Sequence, residues 1–301
     1  AALDGQPAYR KLEARDRGFA RALAAAAVRR CGALDAAVAG FIAKPLPAGS
    51  RAQLVLRLGA AELLILNTPP HAAVDAAVAL MAEAREDIRY KGLANAVLRK
   101  VAAAGPALLD AADPLEDLPG WLAARWRAAY GEEAARAMAA AGAREPTLDI
   151  TLKDPAEANL WAERLEAVLL PGGSLRRERI GDVTALPGFA EGTWWVQDAA
   201  AAIPARLLAA KAGERVLDLC AAPGGKTLQL AAAGADVTAL DRSEARLKRV
   251  RDNLDRTGLE AKIIAADARS FKPEAPYDAI LLDAPCTATG TLRRRPDAAW
   301  S

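Results

Sequence analysis

Arg215-Val216-Leu217-Asp218-Leu219-Cys220-Ala221-Ala222-Pro223-Gly224-Gly225-Lys226-Thr227 is the stretch that decides the fold. An apolar strand hands over to a loop of small residues, and Thr227 opens an apolar helix predicted over Leu228–Ala233. Gly224 and Gly225 let backbone approach a ligand closely, and the unpaired N–H groups at the helix start favour an anionic or carboxylate group. The turn therefore predicts a nucleotide-like ligand at a strand-to-helix junction, the usual place in an open α/β sheet. A phosphate-binding loop of the Gly-x-x-x-x-Gly-Lys-Ser/Thr type fits Gly225-Lys226-Thr227 but has Cys220 where its first glycine must stand. A Gly-x-Gly-x-x-Gly dinucleotide loop fails at Ala221-Ala222-Pro223. A merely structural turn of small residues is the remaining alternative.

Three further apolar runs follow. Asp236–Leu240 ends in Asp241, 23 residues after Asp218, where an acid accepts hydrogen bonds from ribose hydroxyls. Ala261–Ala266 ends in Asp267, and Ala279–Leu282 ends in Asp283-Ala284-Pro285-Cys286. With Ala-, Leu- and Arg-rich helical segments between the first three, the pattern is βαβαβ with a carboxylate at each strand exit. Each aspartate alone is equally a helix cap or turn residue, but four in phase point to a site.

The decapeptide 218–227 with the downstream Asp283-Ala284-Pro285-Cys286-Thr287-Ala288-Thr289-Gly290 resembles the S-adenosylmethionine-dependent RNA 5-methylcytosine methyltransferases. Val196-Gln197-Asp198-Ala199-Ala200-Ala201 is similar to the motif preceding their cofactor domain, and Arg294-Arg295-Pro296-Asp297 with Trp300 matches the segment after their Pro-Cys motif. With an all-helical leader in front, the chain most resembles the RsmB (Sun/Fmu) group, which modifies small-subunit ribosomal RNA. The resemblance implies a class I, Rossmann-like α/β methyltransferase domain. It implies that Cys220, Ala221, Ala222, Pro223, Gly224, Gly225 and Lys226 hold the methionine end of S-adenosylmethionine. Asp241 then binds the ribose and Asp267 the adenine amino group, while Asp283 stands between methyl donor and target base. In this family a cysteine thiolate adds to C6 of cytosine and makes C5 nucleophilic. The target base must then be single-stranded or flipped from its stack.

The cysteines depart from the family pattern. RNA enzymes of this type carry a Pro-Cys cysteine that assists release and a nucleophile in a Thr-Cys motif after the next strand, whereas this sequence has only Cys31, Cys220 and Cys286. The expectation is a methyltransferase domain truncated after its fourth strand, with the main nucleophile beyond Ser301 and the fourth strand as an exposed edge. Cys286 as nucleophile, as in DNA cytosine methyltransferases, is the alternative. Catalytic candidates are therefore Cys286 and Asp283.

At 301 residues, 52% hydrophobic and 26% charged, the chain is long enough for two or three domains with real cores. No stretch reaches the ~18 uninterrupted apolar residues of a membrane span. Three cysteines without paired spacing argue against a disulfide framework, and one histidine argues against a zinc site. His71, after Asn67-Thr68-Pro69-Pro70, reads as a structural residue at a helix start. These features predict a cytoplasmic enzyme, a monomer with no metal and no membrane partner. Net charge is +2, unevenly spread: 15 basic against 9 acidic side chains over residues 1–105, 9 against 16 over 106–200, and 16 against 13 over 201–301. The basic leader suits contact with RNA phosphates, though arginine on helices is as readily a solvated face.

Residues 1–105 read as a helical bundle. Leu54, Leu58, Ala61 and Ile65 share a helical face, as do Leu93, Val97 and Val101, and Lys44-Pro45-Leu46-Pro47, Pro69-Pro70 and Gly105-Pro106 separate helices. The order resembles the NusB-like RNA-binding domain, including Arg15-Asp16-Arg17 and Asn95-Ala96-Val97-Leu98-Arg99, with its first helix shortened before Leu12. Residues 106–192 read as a small α+β connector: helices at Trp121–Tyr130 and Glu132–Ala141, a strand at Leu148–Leu152, a helix at Glu157–Val168 and a Gly172-Gly173 turn. Residues 193–301 form the methyltransferase domain. Trp194 and Trp195 on a strand point to opposite faces and are expected to pack, and Arg293-Arg294-Arg295 is expected near the active site in reach of phosphate. The competing functional class is a non-catalytic NusB-like RNA-binding protein with a vestigial cofactor domain; a nucleoside triphosphatase lacks its first glycine.

Overall fold

The computed structural model describes residues 3–47, 49–178, 180–287 and 289–300. The chain folds into two compact units, Ala1–Glu145 with Ala288–Ser301, and Pro146–Thr287. This grouping differs from the three-part division read at residues 105 and 192. Segment 106–145 belongs to the helical unit, the rest of the connector belongs with the parallel sheet, and the chain returns to the helical unit after Thr287.

The first unit is built from α1 (Pro7–Lys11), α2 (Ala14–Arg29), α3 (Cys31–Ala39), α4 (Arg51–Leu64), α5 (Pro70–Glu83), α6 (Lys91–Ala104), α7 (Ala107–Asp110), α8 (Gly120–Tyr130) and α9 (Glu132–Ala143). Leu34, Leu56, Met81, Val97, Leu98 and Val101 lie in its main core. Ser50 caps α4 by accepting from the Gln53 N–H. The face of α4 differs from the sequence expectation: Leu54 is 45% exposed, while Ala52, Leu56, Gly59, Ala60 and Leu64 are buried. α4 packs against α2, α3, α5 and α6, so its buried stripe is broader than, and rotated from, the one set by its largest residues.

Asp117 explains why the segment beyond Gly105-Pro106 joins this unit. Its carboxylate accepts from Ala33 N at 2.9 Å and Arg30 Nε at 2.8 Å, capping the start of α3. Burial still raises its pKa, against the pull of those two donors. Leu115, Leu122, Trp126, Ala135 and Ala139 form a second core that includes Leu292 and Ala299 from the final segment. Arg29 Nη2 donates to Arg293 O at 3.2 Å.

The second unit begins with β1 (Leu148–Leu152), α10 (Ala158–Arg164), β2 (Val168–Leu169), β3 (Leu175–Arg177) and β4 (Trp194–Val196), an antiparallel sheet in the order β2-β3-β1-β4. The helix predicted to reach Val168 stops at Arg164. Glu166 has φ +50° and Ala167 N bonds back to Ala162 O, which frees Val168 for β2. There follow α11 (Ala199–Leu208), β5 (Arg215–Leu219), α12 (Gly225–Ala232), β6 (Asp236–Asp241), α13 (Glu244–Thr257), β7 (Lys262–Ala265) and β8 (Ala279–Leu282). These strands form a parallel sheet, as the βαβαβ reading requires, and their order is β7-β6-β5-β8. β8 pairs with β5 on one side, and its Ile280 and Leu282 are exposed. α12 begins at Gly225, earlier than the sequence suggests. Among the described residues, no helix is long and apolar enough to cross a membrane.

Adjacent tryptophans join the two sheets of this unit. Trp194 packs with Ile150, Leu165 and Leu175, and Trp195 packs with Ala222, Leu228, Leu247 and Val250. Each indole N–H is satisfied, Trp194 by Pro187 O at 2.8 Å and Trp195 by Gln197 Oε1 at 2.9 Å. Both are core residues, so neither presents a face to a base. Asp149, fully buried on β1, holds Arg176 by two bonds of 2.7 and 2.8 Å and accepts from Ala199 N at 3.0 Å, tying the small sheet to the start of α11.

Trp194→Ala should destabilise the second unit by about 3–5 kcal/mol, whereas Val196→Ala at the exposed end of the same strand should stay within about 0.5 kcal/mol. Urea denaturation followed by tryptophan fluorescence measures both.

Candidate active site

The motif loop is closed at its base by one hydrogen bond. Asp218, near the end of β5, is buried, and Thr227 Oγ1 in the first turn of α12 donates to its Oδ2 at 2.6 Å. Burial pushes the Asp218 carboxyl up to about 6, with the Thr227 hydroxyl and the Lys226 charge opposing it. Between these two residues Cys220 turns the chain with φ +61° and the Ala222-Pro223 peptide is cis. Gly224 has φ +105° and is the N-cap of α12. A Cβ there would lie 3.2 Å from the Val250 side chain, so glycine is required by conformation and space alike. A Cβ on Gly225 would meet Gln197 at 3.3 Å. Gln197, from the motif preceding α11, thus backs the loop while bonding Gln229 Oε1 at 2.6 Å.

The carboxylates predicted at the strand exits are all there. Asp241, at the end of β6, is buried and accepts from Ala222 N at 3.2 Å and Ser243 N at 2.9 Å. Arg246 Nη1 pairs with it at 3.3 Å and Arg246 Nη2 donates to Ala222 O, so β6 and the motif loop are fastened together. Asp283, beyond β8, pairs with Lys226 Nζ at 2.7 Å. Asp267, beyond β7, accepts from Arg269 N at 2.9 Å and from Arg269 Nη2 at 2.6 Å. The Arg269 side chain holds its carboxyl well below the usual carboxylate range. Hydrogen bonds and ion pairs thus connect residues 218–227, Asp241 and Asp283 directly. Asp267 stands one strand further along the edge, linked through the β6–β7 pairing.

The three thiols sit in different settings. Cys286 is exposed in the loop after β8. Cys220 is half-buried, and burial, with Asp241 adding to it, raises its pKa. Cys31 lies in the first unit, buried and pushed up to about 11. Only a thiolate is a strong nucleophile, so Cys31 is inert and Cys220 is disfavoured. Arg293-Arg294-Arg295 belongs to the first unit, where the Arg293 carbonyl accepts from Arg29 and Arg295 pairs with Asp297 at 3.0 Å. The sequence reading missed Arg246 and Arg269 as partners of the candidate carboxylates and took Thr227 only for a helix start. Asp-x-Arg at 267–269 is a local signal that was available, whereas Arg246 meets Asp241 only because α13 starts with a capped turn at Ser243.

The edge can take a cationic ligand with hydroxyl and amine donors. The carboxylates of Asp241, Asp267 and Asp283 place acceptors along the edge, each beside a basic side chain, Arg246, Arg269 and Lys226.

Because the folded pKa of Asp218 lies above its ordinary value of 3.8, its contribution to stability is full below about pH 4 and is lost as pH rises through 6. Asp218→Asn, which keeps an acceptor for Thr227, should therefore be more stable than the native chain at pH 8. That difference should shrink between pH 6 and pH 4 in chemical denaturation curves.

The chain is similar to known proteins over most of its length. Residues 205–301 match the family model "16S rRNA methyltransferase RsmB/F", and residues 1–103 match the NusB family. The chain is 38% identical to ribosomal RNA small subunit methyltransferase B of Pseudomonas syringae pv. tomato, covering 95% of this chain and 68% of that protein. It is 36% identical to the protein of the same name from Salmonella paratyphi B, covering 98% of this chain and 72% of that protein. Among solved structures, a methyltransferase homolog from Pyrococcus horikoshii is 27% identical over 58% of this chain and 61% of its own, with a TM-score of 0.50. The structure of PH0851 shares the fold over 96% of this chain and 70% of its own, with a TM-score of 0.65 at 24% identity.

Proposed function

The chain belongs to the RsmB/F family of 16S ribosomal RNA methyltransferases, and from that membership we propose that it transfers a methyl group from S-adenosylmethionine to C5 of a cytosine in small-subunit ribosomal RNA. The observation that carries the reading is the acid-rich edge of the parallel sheet. Acceptors stand at the ends of β5, β6, β7 and β8, and those of β5, β6 and β8 are bonded to a loop that two glycines pack closely against its neighbours. S-adenosylmethionine fits such a donor set, because its sulfonium and ammonium groups are cationic and its ribose and adenine present O–H and N–H donors. When bound, it supplies an electrophilic methyl group.

The chain's residues take the following parts in this proposal. Cys220 through Lys226 hold the methionine end, with the N–H groups at the start of α12 open to its carboxylate. Asp241, held rigid by Ala222 N and Ser243 N, accepts from the ribose. Asp267 accepts from the adenine amino group once Arg269 swings aside; the pair is exposed and therefore weak. Asp283, paired with Lys226, faces the target base beside the methyl donor. A cysteine thiolate adds to C6 of cytosine, the electron pair shifts to C5, and C5 takes the methyl group. The C5 proton then leaves to a base, and the thiolate is expelled as the C5–C6 double bond returns. Cys286, exposed beside Asp283 in sequence, assists that release. The helical unit binds RNA, the protein works as a monomer in the cytoplasm, and no membrane takes part.

A vestigial cofactor domain serving a purely RNA-binding protein accounts less well for the site. A dead site has no use for a buried Asp241 bonded to a loop that turns on a glycine at φ +105°.

Incubation of the intact, full-length protein with radiolabelled S-adenosylmethionine and protein-free small-subunit ribosomal RNA, followed by digestion, should place the label in 5-methylcytosine. Label in another nucleoside, or none despite cofactor binding, would contradict the proposal. Cys286→Ser should accumulate a covalent protein–RNA adduct on denaturing gels; loss of all adduct would instead make Cys286 the nucleophile.

A further inference from the structure

A cavity of about 440 Å³ opens in the second unit between β1, the Gly172-Gly173 turn and the last turns of α11 and α12. Among the described residues, its lining includes none of the motif loop 218–224. Its volume is within the about 300–1,000 Å³ typical of small-molecule sites.

The lining carries two cations and, among the described residues, no carboxylate. Arg206 makes one hydrogen bond there, Nη2 to Ser174 Oγ at 3.0 Å, and desolvation lowers its pKa with nothing anionic opposing it. A half-buried guanidinium without a counter-charge leaves donors that an anion satisfies. Lys153 is held by a carbonyl, Thr257 O at 2.6 Å, so its charge is also uncompensated. Thr151, 5% exposed, shares the β1 face of Asp149, which meets the start of α11, and its Oγ1 is buried without a hydrogen-bond partner. Such an orphan hydroxyl costs stability unless a ligand or water meets it. Gly172 keeps the space over the guanidinium open, since a Cβ there would lie 3.1 Å from Arg206 Nη1.

We propose that this cavity binds an organic phosphate of nucleotide size, with the phosphate on Arg206 and the Thr151 hydroxyl and the organic body against Ala205, Ala209 and Leu230. The carbonyl ends of α11 and α12 reduce the positive potential, so charge alone does not retain a bare ion. The apolar walls supply the remaining affinity, and a nucleotide binds more tightly than inorganic phosphate. This site is separate from the methyl-transfer edge and does not depend on the reading given to that edge.

Calorimetric titration of the protein with cytidine monophosphate and with inorganic phosphate tests this. The nucleotide should saturate and inorganic phosphate should compete more weakly. Arg206→Gln and Gly172→Val should each weaken the nucleotide about tenfold or more. Unchanged far-UV circular dichroism and tryptophan fluorescence in both variants show that the fold is intact. A short RNA with a 5′-phosphate, compared with its 5′-hydroxyl form, separates the end of an RNA chain from a free nucleotide as the source; Arg206-dependent binding of either supports the site. No saturable binding of either the nucleotide or the 5′-phosphorylated RNA, or binding equal in Arg206→Gln and the native chain, would overturn it.

Discussion

Asp218 is a carboxylate drawn out of water at the end of a buried parallel strand, and the Thr227 hydroxyl is what makes that placement tolerable. The 2.6 Å bond between them fixes the spacing between strand end and helix start. The intervening residues must then form a tight loop, with Cys220 and Gly224 both at positive φ. Everything else at the site is registered on that loop. Asp241 and Arg246 hold Ala222 from the β6 side, Lys226 reaches Asp283 from the β8 side, and Gln197 fills the space that Gly225 leaves. Without the clip between β5 and α12, the carboxylates would still line the sheet edge but would have no common reference.

The charge arrangement has a second consequence. Asp241, Asp267 and Asp283 are each neutralised by a basic side chain, and these basic side chains differ in how firmly they are placed. Arg246 bonds both the carboxylate and the loop carbonyl, and Lys226 is largely buried, while Arg269 is almost wholly exposed and bound to Asp267 alone. The edge is therefore rigid at β6 and β8 and yielding at β7. A ligand meeting all three carboxylates would find two preset and one that must exchange partners.

Much of this was legible in the sequence because the parallel sheet writes itself as apolar runs ended by aspartate. The four strands, their order of use and the positions of Asp218, Asp241, Asp267 and Asp283 follow from that pattern. The alternation of Trp194 and Trp195 between two cores follows from strand geometry in the same way. What failed did so for tertiary reasons. The exposed Leu54 on α4 reflects a helix surrounded by four others, where small residues mark the closest approaches. The boundary at Gly105-Pro106 is a true chain break but not a unit boundary, because Asp117 caps α3 across 84 residues of sequence and no local pattern announces it. The helix ending at Arg164 turned on a positive φ at Glu166, a residue that gives no glycine-like warning.

The most direct test of the central claim, that strand-exit carboxylates bind the methyl donor, is calorimetric titration of S-adenosylmethionine into the native chain and Asp267→Ala. Asp267 is exposed enough that its loss should leave the fold intact, and a charge-assisted hydrogen bond is at stake. The account predicts that affinity falls by about ten- to a hundredfold. Equal affinity in the two proteins would contradict it.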